Sequence, residues 1–307
     1  MKEHIYEVRG NDGMVRRGII TFPSKKSNNI GIVLLPSGLK YRIGSHRFNV
    51  WLARELSNDG NIVLRFDPLG LGESDGSIMN GSVKEIGRTI EEGRFIEDVV
   101  MVCDKFKRDY KLKYLVAGGI CGGAITSQMS AAKKPELFDG IVSIGTAVTV
   151  SKINGESITL TKNTIVNNLK SYVMKLFAGE AWLRLIRRES DISAIVTTIK
   201  SALKSGLNFK KKNEINYENE NIKFIETFNT LKKNKIKHLL LFGGNDKRWY
   251  EFEDIILNRY LGNETIGDHY EVVIIPNANH ELYLKDWQIQ AKNKIRQWLQ
   301  QNLIKSN

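Results

Sequence analysis

Short apolar stretches alternate with longer amphipathic stretches along most of the chain. Two of the apolar stretches flank an Asn-Asp-Gly turn and therefore predict a β-hairpin: HIYEVRG and MVRRGIITF. Six further stretches are apolar enough to form strands buried on both faces: IGIVLLP, NIVLRFD, KYLVAGG, DGIVSIGT, KHLLLFGG and EVVIIP. Helix-length amphipathic segments such as HRFNVWLARELSNDG lie between them. This alternation predicts an α/β fold in which a mostly parallel, eight-stranded sheet is flanked by helices.

The alternation breaks once, between about residues 150 and 235. Apolar residues recur there at the spacing of a helix face: Ile165, Leu169, Leu176, Ile192, Ile195 and Ile199. We therefore expect a core built from residues 1–149 and 236–307, interrupted by a helical lid or cap insertion at residues 150–235. An insertion between two strands of an open sheet commonly covers the site at the C-terminal ends of the strands.

Composition narrows the class of protein. The sequence has no apolar run of about eighteen residues, and its start, MKEHIYEVRG, lacks the apolar region of a signal peptide. We therefore expect a cytoplasmic protein without a membrane span. Two cysteines in 307 residues cannot form a disulfide framework, and their spacing is not that of a zinc site. We expect free thiols, no metal and no organic cofactor.

The formal net charge of the chain is +12, from 46 Lys and Arg residues against 34 Asp and Glu residues. The densest basic groups, residues 210–212 and 232–237, lie in polar connections without interleaved aromatic residues. Because the sequence also lacks a nucleic-acid-binding motif, we do not expect a nucleic-acid partner. The pattern favours a solvated basic surface, although an acidic acyl carrier protein would also suit this charge.

The stretch YLVAGGICGGAITSQM predicts a buried strand, a sharp glycine-rich turn and the start of a helix. Within it, residues 119–123 match the nucleophile motif G-x-S-x-G with Cys121 in the serine position. The turn is so sharp that the residues two before and two after the nucleophile must be small, and both are glycine, Gly119 and Gly123. Because a helix N-terminus favours the thiolate, we expect the pKa of Cys121 to lie below the ordinary value of about 8.5.

Two further residues complete a candidate catalytic triad. In proteins with this motif the acid follows the nucleophile and the histidine comes last. Asp246 follows one buried strand, in LLLFGGNDKRWYEF, and His280 follows the last strand, in IIPNANHELYLKDW. The imidazole would take the thiol proton and the carboxylate would fix the imidazole tautomer. Taken singly, His280 is also compatible with a surface loop and Asp246 with a turn, and Asp254 is an alternative acid.

An oxyanion hole requires two backbone donors. The first is the NH group of Gly122, which follows the nucleophile. The second is expected in the loop LLPSGLKYRIGSHRF, where the NH group of Leu39 is the favoured donor. A plain glycine turn at Ser37-Gly38 is the alternative interpretation of that loop. We expect structural roles for His46 and for Cys103, which lies in a predicted amphipathic helix.

These motifs resemble those of the α/β-hydrolase superfamily, and the resemblance covers nearly the whole chain. The stretch RFDPLGLGESDG is similar to the loop D-x-x-G-x-G-x-S of that superfamily. The residues that match it are Asp67, Gly70, Gly72 and Ser74. The resemblance implies an α/β-hydrolase fold with a helical lid, and a structural role for the residues of this loop.

Other segments resemble the hydrolases called exosortase A system-associated, which carry cysteine as the predicted nucleophile. The segments are residues 41–76, the cysteine elbow and AWLRLIRRESD in the insertion. The elbow GICGGA differs from the G-L-C-D-A type associated with that group. Dienelactone hydrolases share a Cys-Asp-His triad, but they are shorter and lack such a lid.

A cysteine nucleophile narrows the chemistry. An acyl group on Cys121 is a thioester, nearly equal in energy to an acyl group on coenzyme A or on a carrier protein. We therefore favour an enzyme for acyl transfer or thioester cleavage. The alternatives are a carboxylesterase or lactone hydrolase that acts on a small free molecule, and a catalytically silent α/β-hydrolase scaffold. The sequence is also compatible with a cysteine that replaces a natural serine.

Overall fold

The computed structural model describes residues 2–78, 81–150 and 220–304, which all belong to one compact unit. The strands are β1 Lys2–Arg9, β2 Val15–Phe22, β3 Ile30–Leu35, β4 Ile62–Phe66, β5 Tyr114–Ile120, β6 Gly140–Ile144, β7 Lys237–Gly243 and β8 Tyr270–Ile275. The α-helices are α1 Phe48–Asn58, α2 Val83–Glu91, α3 Ile96–Asp109, α4 Gly122–Lys133, α5 Ile222–Lys233, α6 Lys247–Phe252 and α7 Lys285–Leu299. Short 3-10 helices are Ser45–Arg47 and Pro135–Leu137, and π-helical turns are Glu253–Tyr260 and Gln300–Ile304. No helix in these ranges is long and apolar enough to cross a bilayer.

The eight strands form one sheet in the order β1-β2-β4-β3-β5-β6-β7-β8. The β1–β2 hairpin pairs antiparallel to β4, whereas the strands from β4 across to β8 are parallel to one another. The predicted hairpin and the six further predicted strands are therefore confirmed. The expectation that all six are buried on both faces is wrong for β8, which lies at the edge of the sheet and is half-buried or exposed at its four middle positions. The direction of strand addition reverses between β3 and β5, and sites in open α/β sheets lie at the C-terminal ends of the strands at such a switch point.

Helices cover both faces of the sheet, which explains why most positions of the central strands are apolar. On one face, α1 and α7 contribute Phe48, Leu52, Ile295 and Trp298 to a core with the strands. Helix α7 packs closely on β6, since a Cβ on Gly140 would lie 2.6 Å from the Trp298 ring. Helices α3, α4 and α5 pack together elsewhere on the sheet. Strands β3 and β4 are buried at every position.

Asp67 anchors the loop between β4 and α2. It is fully buried, and its Oδ1 accepts a hydrogen bond from the Arg42 amide at 2.6 Å. Its Oδ2 accepts from the Glu73 amide at 3.1 Å and pairs with the Arg42 guanidinium. Gly72 lies so close to the Asp67 carboxylate that no side chain fits there. The contacts of Asp67 are those of a residue that holds two loops together.

The predicted lid at residues 150–235 lies mostly outside the described residues, because 151–219 are not described. At its two ends, Thr149 pairs with Glu220 in an antiparallel bridge, and the Asn221 amide donates to Val148 O at 3.1 Å. Helix α5, which the prediction assigned to the insertion, packs on α4 within the same unit as the sheet. Helical spacing is the same for a lid helix and a core helix, so the pattern did not separate them.

A buried polar cluster joins α4, β6 and β7. His238 is fully buried and its Nε2 lies 2.9 Å from Ser143 Oγ. Gln128 Nε2 donates to Ser143 Oγ at 2.8 Å and to Thr146 Oγ1 at 2.7 Å. Burial, with a smaller contribution from the charge of His269, lowers the pKa of His238 to about 3. His238 is therefore neutral in the folded protein near neutral pH.

This lowered pKa makes stability depend on pH. The unfolded state binds a proton at His238 near pH 6.5, whereas the folded state does so only near pH 3. The free energy of unfolding is therefore fully retained above about pH 6.5 and decreases as the pH falls towards 3. We expect His238→Gln to lose less unfolding free energy than the wild type on mild acidification, as measured by urea unfolding at a series of pH values. The exposed His4→Gln is the control and should keep the wild-type slope; the same slope in His238→Gln would contradict the assignment.

Candidate active site

Cys121 stands at the bend between β5 and α4. Its backbone has φ 54° and ψ −113°, a conformation that costs free energy in any residue other than glycine. The bend is held by the Cys121 amide, which donates to Ile144 O at 2.9 Å. A Cβ on Gly119 would lie 2.8 Å from Leu35 O, and one on Gly123 would lie 2.7 Å from Pro36 O. The small residues that the motif requires are therefore required by backbone contact on both sides.

Strands β7 and β8 bring Asp246 and His280 together. Asp246 is buried at the N-terminus of α6, and its Oδ1 accepts from the Arg248 amide at 2.9 Å. Its Oδ2 accepts a hydrogen bond from His280 Nδ1 at 2.8 Å. The partner of His280 is thus Asp246, whereas the alternative acid Asp254 lies in the π-helical turn after α6.

The Cys121 thiol and the His280 imidazole are hydrogen-bonded, and each group shifts the pKa of the other. Burial raises the pKa of Cys121, but the hydrogen bond and the positive charge of His280 outweigh burial and lower that pKa below its usual value. Burial alone would lower the pKa of His280, yet its bonds to Asp246 and Cys121 raise it to about 10. These opposite shifts favour a thiolate–imidazolium pair between the two pKa values.

Gly145 closes one side of the histidine–aspartate pair. It follows β6 with φ 57°, in the left-handed region. A Cβ at this position would lie 2.9 Å from Asp246 Oδ2 and 2.9 Å from His280 Nδ1. The absence of a side chain at residue 145 therefore allows the imidazole and the carboxylate to meet. Sequence reasoning did not single out this glycine, because it belongs to no recognised motif.

A group of buried charges beside the triad was also missed. The Arg248 Nη1 donates to Thr149 Oγ1 and to Glu251 Oε2, each at 3.0 Å, and Nη2 lies 3.8 Å from Glu91 Oε1. The positive charge of Arg248 helps to lower the pKa of Cys121, and the negative charge of Glu91 opposes it. The only signal in the sequence was that Arg248 stands two residues after Asp246.

The oxyanion loop lies against the elbow. A Cβ on Gly122 would come 2.8 Å from the Gly38 nitrogen, so the two backbones are in contact. The loop turns tightly here, since the Lys40 amide donates to Ser37 O at 3.1 Å and Gly38 has φ 58°. The NH group of Gly122 is in the first turn of α4, where it has no acceptor within the helix. The role of the Leu39 NH group as second donor stays a prediction.

His46 lies in the short 3-10 helix before α1, and Cys103 lies on α3. His46 is exposed, and its ring packs edge-on against Tyr283 with 4.6 Å between centroids. His46 does not cap α1, whose N-cap residue is Arg47. Cys103 is fully buried on α3, and burial strongly raises its pKa. In the described ranges no group of three or more His, Cys, Asp or Glu side chains could hold a metal ion.

Comparison with protein families identifies a relationship over most of the chain. The model of the family described as serine aminopeptidase, S33, matches residues 28–285. The matched range includes Cys121, Asp246 and His280. Residue 121 is a cysteine, whereas the motif G-x-S-x-G of α/β hydrolases has serine at this position. A search of curated proteins gives no significant match.

Solved α/β-hydrolase structures share the fold at low sequence identity. The Pyrococcus furiosus esterase Pf2001 has a TM-score of 0.59 at 14% identity, over 98% of this chain and 92% of that one. Est1E from Butyrivibrio proteoclasticus, solved with ferulic acid, has a TM-score of 0.57 at 11% identity, over 96% and 98%. Dienelactone hydrolase from Anabaena variabilis has a TM-score of 0.54 at 16% identity, over 99% and 100%. At these identities the likeness establishes the fold alone.

The lowered pKa of Cys121 predicts selective alkylation. We expect iodoacetamide to modify Cys121 below pH 8, where an ordinary thiol reacts slowly, because the thiolate is the nucleophile. Cys103 should react only after unfolding, because it is buried. Peptide mass spectrometry over a pH series measures both rates. His280→Ala removes the hydrogen bond and the charge that contribute most to lowering the pKa of Cys121, so the alkylation profile should move to higher pH. Equal labelling of the two thiols would contradict the assignment.

Because Gly145 lies against Asp246 and His280, a methyl group added at residue 145 should lower the reactivity of Cys121. We expect Gly145→Ala to separate His280 from Asp246 and to reduce the alkylation rate of Cys121 at neutral pH at least about tenfold. The matched control is Gly262→Ala, because Gly262 has φ 56° but no atom within 4 Å of an added Cβ. Both variants bear the backbone cost of a left-handed alanine, about 1–2 kcal/mol, which thermal unfolding measures. Equal alkylation in the two variants would refute the proposed contact.

Proposed function

The chain belongs to the serine aminopeptidase S33 family of α/β hydrolases, and from this premise we propose that it acts on acyl thioesters through an acyl-cysteine intermediate. In this proposal Cys121 is the nucleophile, His280 is the base and Asp246 orients the base. The acyl group is then hydrolysed or transferred to an acceptor. The proposed donors are thioesters of coenzyme A or of an acidic acyl carrier protein in the cytoplasm.

One observation carries the proposal: the strained elbow holds a sulfur atom that interacts with His280, and His280 is hydrogen-bonded to the buried Asp246. Sulfur at this position favours exchange with other thioesters, because the acyl group moves between two bonds of the same kind. A thioester also reacts readily with amines and thiols, so transfer competes with hydrolysis. A serine in the same place would form an oxyester, which more often ends in hydrolysis.

The first half-reaction begins with the thiolate of Cys121 and protonated His280. The sulfur attacks the carbonyl carbon of the thioester, and the carbonyl oxygen becomes an oxyanion beside the NH group of Gly122. The tetrahedral intermediate then collapses, and the bond between the carbonyl carbon and the donor sulfur breaks. The departing thiolate takes the proton of His280, which leaves a neutral imidazole and an acyl group on Cys121.

The second half-reaction uses the neutral imidazole as a base. His280 takes a proton from water or from an acceptor amine as that molecule attacks the acyl carbon. The bond between the acyl carbon and Cys121 breaks, and the thiolate is restored beside the protonated imidazole. Asp246 keeps its hydrogen bond to Nδ1 throughout and compensates the positive charge of the ring.

An esterase or lactone hydrolase is the second candidate. The observation that favours it is the similarity in fold to an esterase and to a dienelactone hydrolase. In this alternative the same acyl-cysteine forms from an oxyester or a lactone, and water completes the reaction. The identity of the donor therefore separates the two candidates.

The test is to load the protein from a panel of acyl-coenzyme A thioesters and matched p-nitrophenyl oxyesters, followed by intact mass. We expect an acyl adduct from thioesters in the wild type and none in Cys121→Ala. Amines added to the adduct should release it faster than water if the enzyme is a transferase. Release by water alone at the same rate indicates a thioesterase. Loading from oxyesters only would refute the thioester proposal and support the second candidate.

A further inference from the structure

The segments that lead into the parallel strands carry a concentration of lysines. The segment before β5 has the sequence KFKRDYKLK, and the segment into β7 has the sequence KKNKIK. Both segments lie at the N-terminal edge of the sheet, because β5, β6 and β7 are parallel neighbours. The loop before β3, the other parallel neighbour of β5, adds two more lysines. We name this surface the basic edge, and it comprises Lys25, Lys26, Lys111, Lys113, Lys233, Lys235 and Lys237.

The loops before β5 and β7 repeat one backbone geometry. Lys111 has φ 49° and Lys235 has φ 52°, both in the left-handed region. In each loop the amide of this lysine donates to the carbonyl three residues earlier. The amide of the next residue donates to the carbonyl five residues before it, and all four distances are 3.0–3.2 Å. Glycine or asparagine is the usual residue where a helix ends in this way, because other side chains add strain. The backbone therefore gives no reason for a lysine at either position.

The side chains of these loops present charge to solvent. Leu112 and Ile236, which separate the lysines, are buried, whereas Lys111, Lys113 and Lys235 are exposed. The Lys113 ammonium lies 4.9 Å from the centre of the Tyr114 ring. Further basic residues near this edge form ion pairs: Lys105–Asp109, Lys107–Asp139, Lys134–Asp104 and Lys232–Glu264. Burial lowers the pKa of His269, and the charges of Lys237, Lys232 and Lys235 lower it further, while Asp268 opposes them. The two loops thus form a charged surface without an apolar anchor.

We propose that the basic edge adsorbs this protein to an anionic lipid surface. Lysine ammonium groups are hydrated point charges that suit a diffuse layer of anionic headgroups, whereas bidentate recognition requires arginine. A specific protein interface is usually built around a buried aromatic or arginine anchor, whereas Arg108 in the segment before β5 pairs with Asp104 of the same helix. Single-stranded nucleic acid binds to aromatic rings on which its bases stack, whereas the Tyr110 ring packs against Phe22 and the Lys113 ammonium lies over the Tyr114 ring.

The position of the basic edge is compatible with an open active site. Cys121 follows the C-terminal end of β5, and seven strand residues separate the two edges by about 20 Å. A protein adsorbed by its basic edge therefore directs Cys121 away from the lipid. An acyl carrier protein would have to dock at the opposite edge. The inference does not depend on the proposed reaction, and it is tested without substrate.

The experiment is co-sedimentation with vesicles of phosphatidylcholine, alone or mixed with phosphatidylglycerol. We expect binding only to the mixed vesicles and weaker binding as salt is added. The test variant is K111N/K113Q/K235N/K237Q, with asparagine at the two left-handed positions so that folding is retained. Each lysine near an anionic leaflet strengthens binding about fivefold, so this variant should bind at least about tenfold more weakly.

Two control variants distinguish an effect of the basic edge on binding from an effect of the net charge of the protein. The variant K40Q/R47Q/K223Q/K285Q removes four exposed basic residues at the opposite edge and should keep wild-type binding. The variant K111R/K113R/K235R/K237R keeps the charge and should also bind. The proposal is overturned if phosphatidylglycerol does not increase binding of the wild type to vesicles. It is also overturned if K111N/K113Q/K235N/K237Q and K40Q/R47Q/K223Q/K285Q lose binding equally. Tighter binding of single-stranded DNA or an acidic protein than of vesicles, at the same salt, would also overturn it.

Discussion

The bend of the chain at Cys121 is the constraint from which the rest of the site is built. A residue with a side chain is held at φ 54° and ψ −113°, which costs on the order of 1–3 kcal/mol. Close backbone contacts at Gly119 and Gly123 hold the chain in this conformation despite its strain. The bend ends β5 and begins α4 within one residue. As a result, the sulfur stands clear of the sheet, where residues from β7 and β8 can approach it.

Charge compensation is the second requirement. The site concentrates ionised groups in a buried environment, where an unpaired charge is costly. Each charge has a partner of opposite sign: Cys121 with His280, His280 with Asp246, and Arg248 with Glu251. Because effective dielectric screening is weak in such a place, Arg248 and Glu91 act on the thiol in opposite directions. The balance of these charges sets the ionisation of the Cys121 thiol.

The features that sequence reasoning recovered are those set by local chemistry and chain order. Fully apolar strands appear as such in the sequence, and the glycines around Cys121 are demanded by a bend that involves few residues. His280 and Asp246 were found because topology places residues after parallel strands at one edge. Gly145, Arg248 and Glu91 were missed because their importance arises from contacts between distant segments. Helix α5 was assigned to the insertion because periodicity does not tell which surface covers an apolar face.

The bridge between Thr149 and Glu220 has a consequence for the architecture of the protein. Paired residues in an antiparallel bridge have Cα atoms about 5 Å apart, so the chain leaves the core and returns to it through adjacent points. Two Cα atoms at this distance can be joined by a turn of a few residues or by a longer segment. The separation of these two points is therefore set by the core itself, and the strands that hold Cys121 in place do not depend on the number of residues between positions 149 and 220.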